Sequence, residues 1–200
     1  DGMKVSTDNE RARRSQTLVL ELLRGEVGDT SHTQHSELDD WCQKHQVKSS
    51  RFGGREQPIQ DVSHPAIAVN LESCIQCTRC VRACREEQMN DVIGLAFRGA
   101  HSQIVFDLGD DMGASSCVGC GECVQACPTG ALMPSGDVGL EEIDREVDSV
   151  CPYCGVGCLL KYHIKDNQIR YVTGRDGPAN KGRLCVKGRY GFDYVSHPER

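Results

Sequence analysis

The chain is short of aromatic residues, of long apolar runs and of basic charge, and each shortage removes a class of protein. Phe, Trp and Tyr make up 5% of its 200 residues, and Trp41 is the single tryptophan. Large rings supply much of the buried area in a core. A chain of this length without them divides into two or three small units rather than one large domain. The longest apolar stretches, such as TLVLELL at 17–23, are flanked by charge. They fall well short of the roughly 20 residues that a bilayer-crossing helix needs. No secretory leader pattern stands in the sequence, so no membrane partner is expected. The formal net charge is −6 and no basic stripe offsets it. That argues against a phosphate-backbone partner, so no nucleic acid is expected either.

What the chain has instead is thirteen cysteines. Such a count means a disulfide framework or bound metal, and the spacing separates the two. Cys74, Cys77, Cys80 and Cys84 read C-x2-C-x2-C-x3-C. Cys117, Cys120, Cys123 and Cys127 repeat the pattern, with Pro128 after the last. This is the bacterial ferredoxin run, in which the fourth cysteine of each run serves the other cluster. Three thiolates at such short spacing lie on one tight loop and wrap three corners of a cube. The fourth sits where the chain turns into a helix and reaches the neighbouring cube. One [4Fe–4S] cluster is therefore assigned to Cys74, Cys77, Cys80 and Cys127, and a second to Cys84, Cys117, Cys120 and Cys123. The competing reading is a pair of structural zinc sites. It leaves the shared order of three gaps without a reason.

The repeat extends beyond the cysteines. CVRAC and CVQAC share Val81/Val124 and Ala83/Ala126, as two related loop–helix units would. Arg85 follows the first run where Pro128 follows the second, so only the first is expected to continue as a helix through REEQMN. Between the runs, IGLAFRG and SQIVFDL alternate around Gly99 and read as a hairpin. Gly119, Gly121, Gly155 and Gly157 offer backbone N–H groups to sulfur.

A third group, Cys151, Cys154 and Cys158, has the spacing C-x2-C-x3-C, with Cys185 much later. Alone, it fits zinc as well as a cluster. LLKYHIKDNQIRYVTG alternates around the turn dipeptide Asp166–Asn167 and reads as a hairpin. The glycine-rich TGRDGPANKGRLCVKGRYG then brings the chain back to the cysteines. This combination resembles the N-terminal cluster domain of the molybdenum/tungsten bis-pterin oxidoreductases, such as formate dehydrogenases and periplasmic nitrate reductases. The resemblance implies a third [4Fe–4S] cluster on Cys151, Cys154, Cys158 and Cys185. It also implies that Lys187, in CVKG, lies between cluster and pterin as an electron-transfer bridge.

The order of the modules narrows the resemblance. With SHPAIAVNLESCIQCTRCVRACREEQMNDVIG and CVGCGECVQACPTGALMP before the third group, the chain looks like the alpha subunit of the cytoplasmic NAD-dependent formate dehydrogenases. These share ancestry with the large peripheral subunit of respiratory complex I. The likeness is densest between residues 64 and 198. It implies an α+β fold: an N-terminal helical segment, a two-cluster ferredoxin-like module and a small β-rich cluster domain. The expected boundaries are 1–68, 69–147 and 148–200, with DGMKVST as the last strand of a [2Fe–2S] domain. It further implies a molybdenum or tungsten bis-pterin guanine dinucleotide held elsewhere in the full protein, where the catalytic residues would also lie. FMN, NAD and further iron–sulfur clusters would belong to an upstream domain and to an NADH-oxidising beta subunit in a hetero-oligomer. The alternatives are the same relay segment in a nitrate reductase-type enzyme or an iron–iron hydrogenase; the Cys151 group counts against the latter. Thiolates kept free for iron imply a reducing cytoplasm.

The first seventy residues say least. Thr7-x-x-Glu10 reads as a capping box before a helix at ERARRSQTLVLELLRG, with an apolar stripe at Leu18, Val19 and Leu22. SELDDWCQKHQV reads as a shorter helix. Cys42 has His32, His35 and His45 nearby, yet a cluster there would need three cysteines and the region has one. A packed or free thiol is expected. Arg11, Arg13 and Arg14 read as a solvated helix face.

Overall fold

The computed structural model describes residues 2–28, 36–56, 60–139 and 142–199. Two helices lead the chain. Helix α1 spans Glu10–Glu26. Its cap is Asn9 rather than Thr7: the short Asn9 carbonyl accepts the Ala12 N–H at 2.9 Å, satisfying one of the amides a helix start leaves open. The stripe at Leu18, Val19 and Leu22 remains 40–53% exposed, and no residue of α1 is buried. Helix α2, Glu37–Lys44, is capped by Ser36 and buries Leu38 and Cys42. Residues 2–6, expected to form a strand, have no regular structure, because no partner strand pairs with them among the described residues. His32 and His35 lie outside those residues.

The middle of the chain is closed by a two-stranded zipper. Strand β1 (Ile67–Val69) pairs antiparallel with β4 (Leu132–Pro134), bringing the ends of the double module together. β1 crosses the boundary expected at residue 68, since the strand is needed to close the unit that follows it. Between these strands lie helix α3 (Arg79–Arg82), continued by a wider π turn over Ala83–Glu87. The hairpin β2 (Ile93–Ala96)–β3 (Gln103–Phe106) comes next, then helix α4 (Glu122–Ala126). The two repeats diverge as Pro128 dictates. A proline pushes the residue before it out of helical geometry, and Cys127 stands at φ −72°, ψ 122°. Without a proline, Ala83 stays helical at φ −60°, ψ −40°, and Cys84 lies in the π turn. Ile67, Val69, Val81, Val92, Ile104 and Phe106 are among the residues of the core below.

The last unit is a three-stranded antiparallel sheet: β5 (Arg145–Val150), β6 (Leu159–Lys165) and β7 (Gln168–Gly174). β6 and β7 form the expected hairpin. Asp166 and Asn167 have φ of 50° and 58°, the left-handed pair that a type I′ turn requires. β5 was not expected: its residues are nearly all exposed, so REVDSV carries no apolar face to reveal it. β5 also crosses the boundary expected at residue 147. Helix α5 (Val186–Tyr190) packs on β7. Leu160, Val172 and Leu184 form this unit's small core with Cys151. No helix among the described residues is long and apolar enough to cross a membrane.

Ion pairs join the units. Arg79 makes a two-pronged contact with Glu37 of α2 at 3.0 and 3.2 Å. Arg183 reaches Glu87 at 2.6 Å and the buried Glu122 at 3.0 Å. Arg189 Nη2 donates to Gln125 at 2.5 Å.

Candidate iron–sulfur sites

Each cysteine run is a loop with two left-handed residues at matching places. Gln76 and Thr78 have φ of 48° and 60°; Gly119 and Gly121 have 65° and 77°. The second run meets this geometry with glycine. The first imposes it on a glutamine and on a β-branched threonine, a strained arrangement of the kind that clusters at functional sites. Its effect is to turn peptide N–H groups inward. Gln76 N donates to Cys74 Sγ and Gly119 N to Cys117 Sγ, both at 3.4 Å. No matching bond from the Gly121, Gly155 or Gly157 amides is found among the described residues.

Cys127 of the second run comes up to the first run, and Cys84 of the first bears on the second. Cys74, Cys77, Cys80 and Cys127 line one cavity, with Leu71, Ile104, Pro128 and Leu132 among its other walls. Burial pushes the Cys80 thiol up to about 12, with further contributions from Cys127, Cys74 and Cys77. Cys74 rises to about 11, chiefly by burial, with Cys127 and Cys77 adding to it. In the other set, burial raises Cys117, and Cys120 and Cys84 raise it further. Cys123 is raised well above the ordinary thiol value by burial, then by Cys80, Cys120, Cys117 and Cys84. It therefore lies where the two sets approach. In the third group, burial raises Cys158, and its neighbours Cys151, Cys154 and Cys185 add to the effect.

This donor set fits iron–sulfur cubes. Thiolates are the ligands of iron, and buried thiols stay protonated unless a cationic group holds them ionised. All thirteen cysteines are free. Cys74, Cys77, Cys80 and Cys127 lie around one cavity.

Cys42 takes no part in these sets. It is buried, and burial raises its pKa. Lys187 is exposed on α5, two residues past Cys185, and its backbone carbonyl accepts the Gly191 N–H at 2.9 Å. Arg11, Arg13 and Arg14 are exposed, as a solvated face would be.

Residues 64–133 match the family model described as the NADH-quinone oxidoreductase subunit 3 ferredoxin-like domain. Residues 144–197 match the molybdopterin oxidoreductase Fe4S4 domain. The two matched models describe a ferredoxin-like domain and an Fe4S4 domain of oxidoreductases. Across its whole length the chain is 31% identical to the NADPH-Fe(3+) oxidoreductase subunit alpha of Geobacter sulfurreducens, covering 24% of that protein. Over 83% of its length it is 27% identical to a Staphylococcus aureus protein named provisionally as a formate dehydrogenase, covering 21% of it. The chain thus spans about a quarter of the length of these relatives. Its fold is similar to that in the crystal structure of NAD+-reducing [NiFe]-hydrogenase in the H2-reduced state. That likeness has a TM-score of 0.63 at 23% identity, covering 72% of this chain and 64% of that one.

The unit of β5–β7 and α5 contributes residues that no sequence motif singles out. Tyr190 and Arg189 lean out of α5 onto the ferredoxin-like domain. The motif CVKGRYG shows them only as a glycine-rich return, because their partners are far away in sequence. Asp137 is a second. It is buried, its Oδ1 has no hydrogen-bond partner among the described residues, and it lines a cleft with His163 and Tyr171. Burial raises its carboxyl to about 6, against the pull of Arg170.

A raised carboxylate stabilises the fold only while protonated. Between about pH 4 and pH 6 the unfolded group ionises before the folded one, so stability falls as pH rises through that window. Asp137→Asn should remove this dependence. It should raise stability at pH 7 by about 1–2 kcal/mol, after discounting for partial solvation. Thermal unfolding of cluster-loaded protein at pH 5 and pH 7 measures it; an unchanged difference between the two pH values would exclude Asp137 as the cause.

Proposed function

We propose that this segment is a three-cluster electron relay in an NAD-linked formate dehydrogenase. The clusters would sit on Cys74, Cys77, Cys80 and Cys127; on Cys84, Cys117, Cys120 and Cys123; and on Cys151, Cys154, Cys158 and Cys185. The observation that carries the reading is the crossing of the thiol sets. Cys127 shares a cavity with the first run, while Cys84 bears on Cys117 and Cys123 of the second. When bound, each [4Fe–4S] cube takes up and releases one electron, at a potential set by burial, charge and hydrogen bonds to sulfur.

The chain's own residues supply those settings. Gln76 N and Gly119 N donate to sulfur, and packing excludes water from Cys80, Cys84 and Cys123. Arg183, paired to Glu87 and Glu122, holds the third unit against the double module. The domain division follows: a helical lead, a double-cluster unit beginning by β1, and a single-cluster unit beginning by β5. Formate oxidation releases two electrons and nicotinamide reduction consumes two, so one-electron carriers must stand between them. A molybdenum or tungsten bis-pterin site would feed the third cluster by way of Lys187. An FMN-containing beta subunit would draw on the other end, in a cytoplasmic hetero-oligomer.

One observation favours a second reading. The NADPH-Fe(3+) oxidoreductase relative aligns with the whole chain, whereas the formate dehydrogenase relative aligns with 83% of it. A relay fed from NADPH, with another substrate at the far end, satisfies the same cysteines. In the full-length protein we expect about twelve iron and twelve sulfide per chain from these domains, beyond any the other domains bind. Cluster EPR signals should appear on adding formate. A normally folded preparation with zinc in place of iron would refute the relay. Signals produced by NADPH and not by formate would select the second reading.

A further inference from the structure

Tyr190 belongs by sequence to the third cysteine group and by packing to the second. Its ring packs against the core of the ferredoxin-like domain. A Cβ placed on Gly121 would lie 2.6 Å from the Tyr190 hydroxyl and 2.3 Å from Arg189 Cδ. Gly121 follows Cys120 directly and precedes Cys123 by two residues, so the hydroxyl is seated on the second cysteine loop. The glycine is required twice over, for its φ of 77° and for this close approach. The Tyr190 hydroxyl is buried and has no hydrogen-bond partner among the described residues. A phenol keeps its proton at neutral pH.

A buried hydroxyl without a partner calls for an explanation, a bound ion or group being one. The thiols of Cys123, Cys120 and Cys117 are among the groups that act on it. We propose that the Tyr190 hydroxyl donates a hydrogen bond to a sulfur of the cluster held by Cys84, Cys117, Cys120 and Cys123, raising that cluster's reduction potential. The inference rests on the cluster assignment proposed above. Its physical basis is charge. On reduction the cube gains one electron and no bond breaks, and the tyrosine keeps its proton. A fixed donor stabilises the more negative state more strongly, and does so most in a site from which water is excluded. The third domain would thus set the potential of a cluster that it does not ligate, through α5.

The test uses full-length, cluster-loaded protein. Cys120→Ser first identifies which EPR signal belongs to the second cluster. In Tyr190→Phe, iron and sulfide should match wild type. The Cys120-dependent signal should titrate at lower potential, with about a tenfold lower reduced-to-oxidised ratio at fixed ambient potential. That is a shift of roughly 59 mV for a one-electron couple. An exchangeable-proton coupling on that signal, seen by comparing H2O with D2O, should weaken. Full iron with every potential unchanged overturns the hydrogen bond while leaving the cluster assignment standing. A shift confined to another signal, or loss of the cluster itself, overturns it too. Absence of any Cys120-dependent signal in wild type would instead defeat the assignment on which the inference rests.

Discussion

Cys127→Ser is expected to cost the cluster of the first cysteine run, not that of its own. Pro128 holds Cys127 in extended geometry at ψ 122°, which turns its sulfur away from α4. It then lines the cavity of Cys74, Cys77 and Cys80 and raises both Cys74 and Cys80. A serine hydroxyl is a poor substitute, since iron–sulfur clusters are held by thiolates and an alcohol is far harder to ionise. Iron should fall by up to about four atoms per chain, with loss of one EPR signal. The signal that depends on Cys117 and Cys120 should survive. Cys84→Ser should give the mirror result, sparing the signal that depends on Cys74 and Cys77. Loss of the Cys117-dependent signal in Cys127→Ser would mean that each run holds its own cluster.

The second large effect is expected at Lys187. Its side chain is exposed although its helix begins at a proposed ligand, Cys185. A Cβ on the neighbouring Gly188 would stand 3.5 Å from Cys151 Sγ, so α5 lies directly against the third thiol group while Lys187 remains free to reach outward. An ammonium is a compact positive charge with three donors on a flexible stem, suited to a group outside this segment. Lys187→Met keeps the length and removes the charge. In the full-length protein it should leave all iron bound and slow cluster reduction by formate more than about tenfold, equivalent to about 1.4 kcal/mol of barrier. Stopped-flow reduction with parallel iron analysis measures both quantities. Unchanged kinetics would leave Lys187 an ordinary surface lysine, and loss of the third cluster would make its role structural.

Much of this was readable from the sequence because it is local. A cysteine loop closes within a few residues, so its spacing alone indicates the chemistry. Pro128 distinguishes how the two repeats end, by a steric effect on the residue before it. The β6–β7 hairpin was legible for the same reason, its turn being built from adjacent Asp166 and Asn167. The helix at 10–25 was legible too, although its cap moved to Asn9, whose side-chain carbonyl accepts the Ala12 amide. Tertiary structure decided the rest. The β1–β4 zipper was hidden because ALMP is too short to show a period, and β5 because its faces are both wet. The seating of Tyr190 on Gly121, and of Arg183 between Glu87 and Glu122, depends on residues far apart in the chain. No local pattern encodes such contacts: they exist only once distant stretches of the chain have packed together and excluded the water between them.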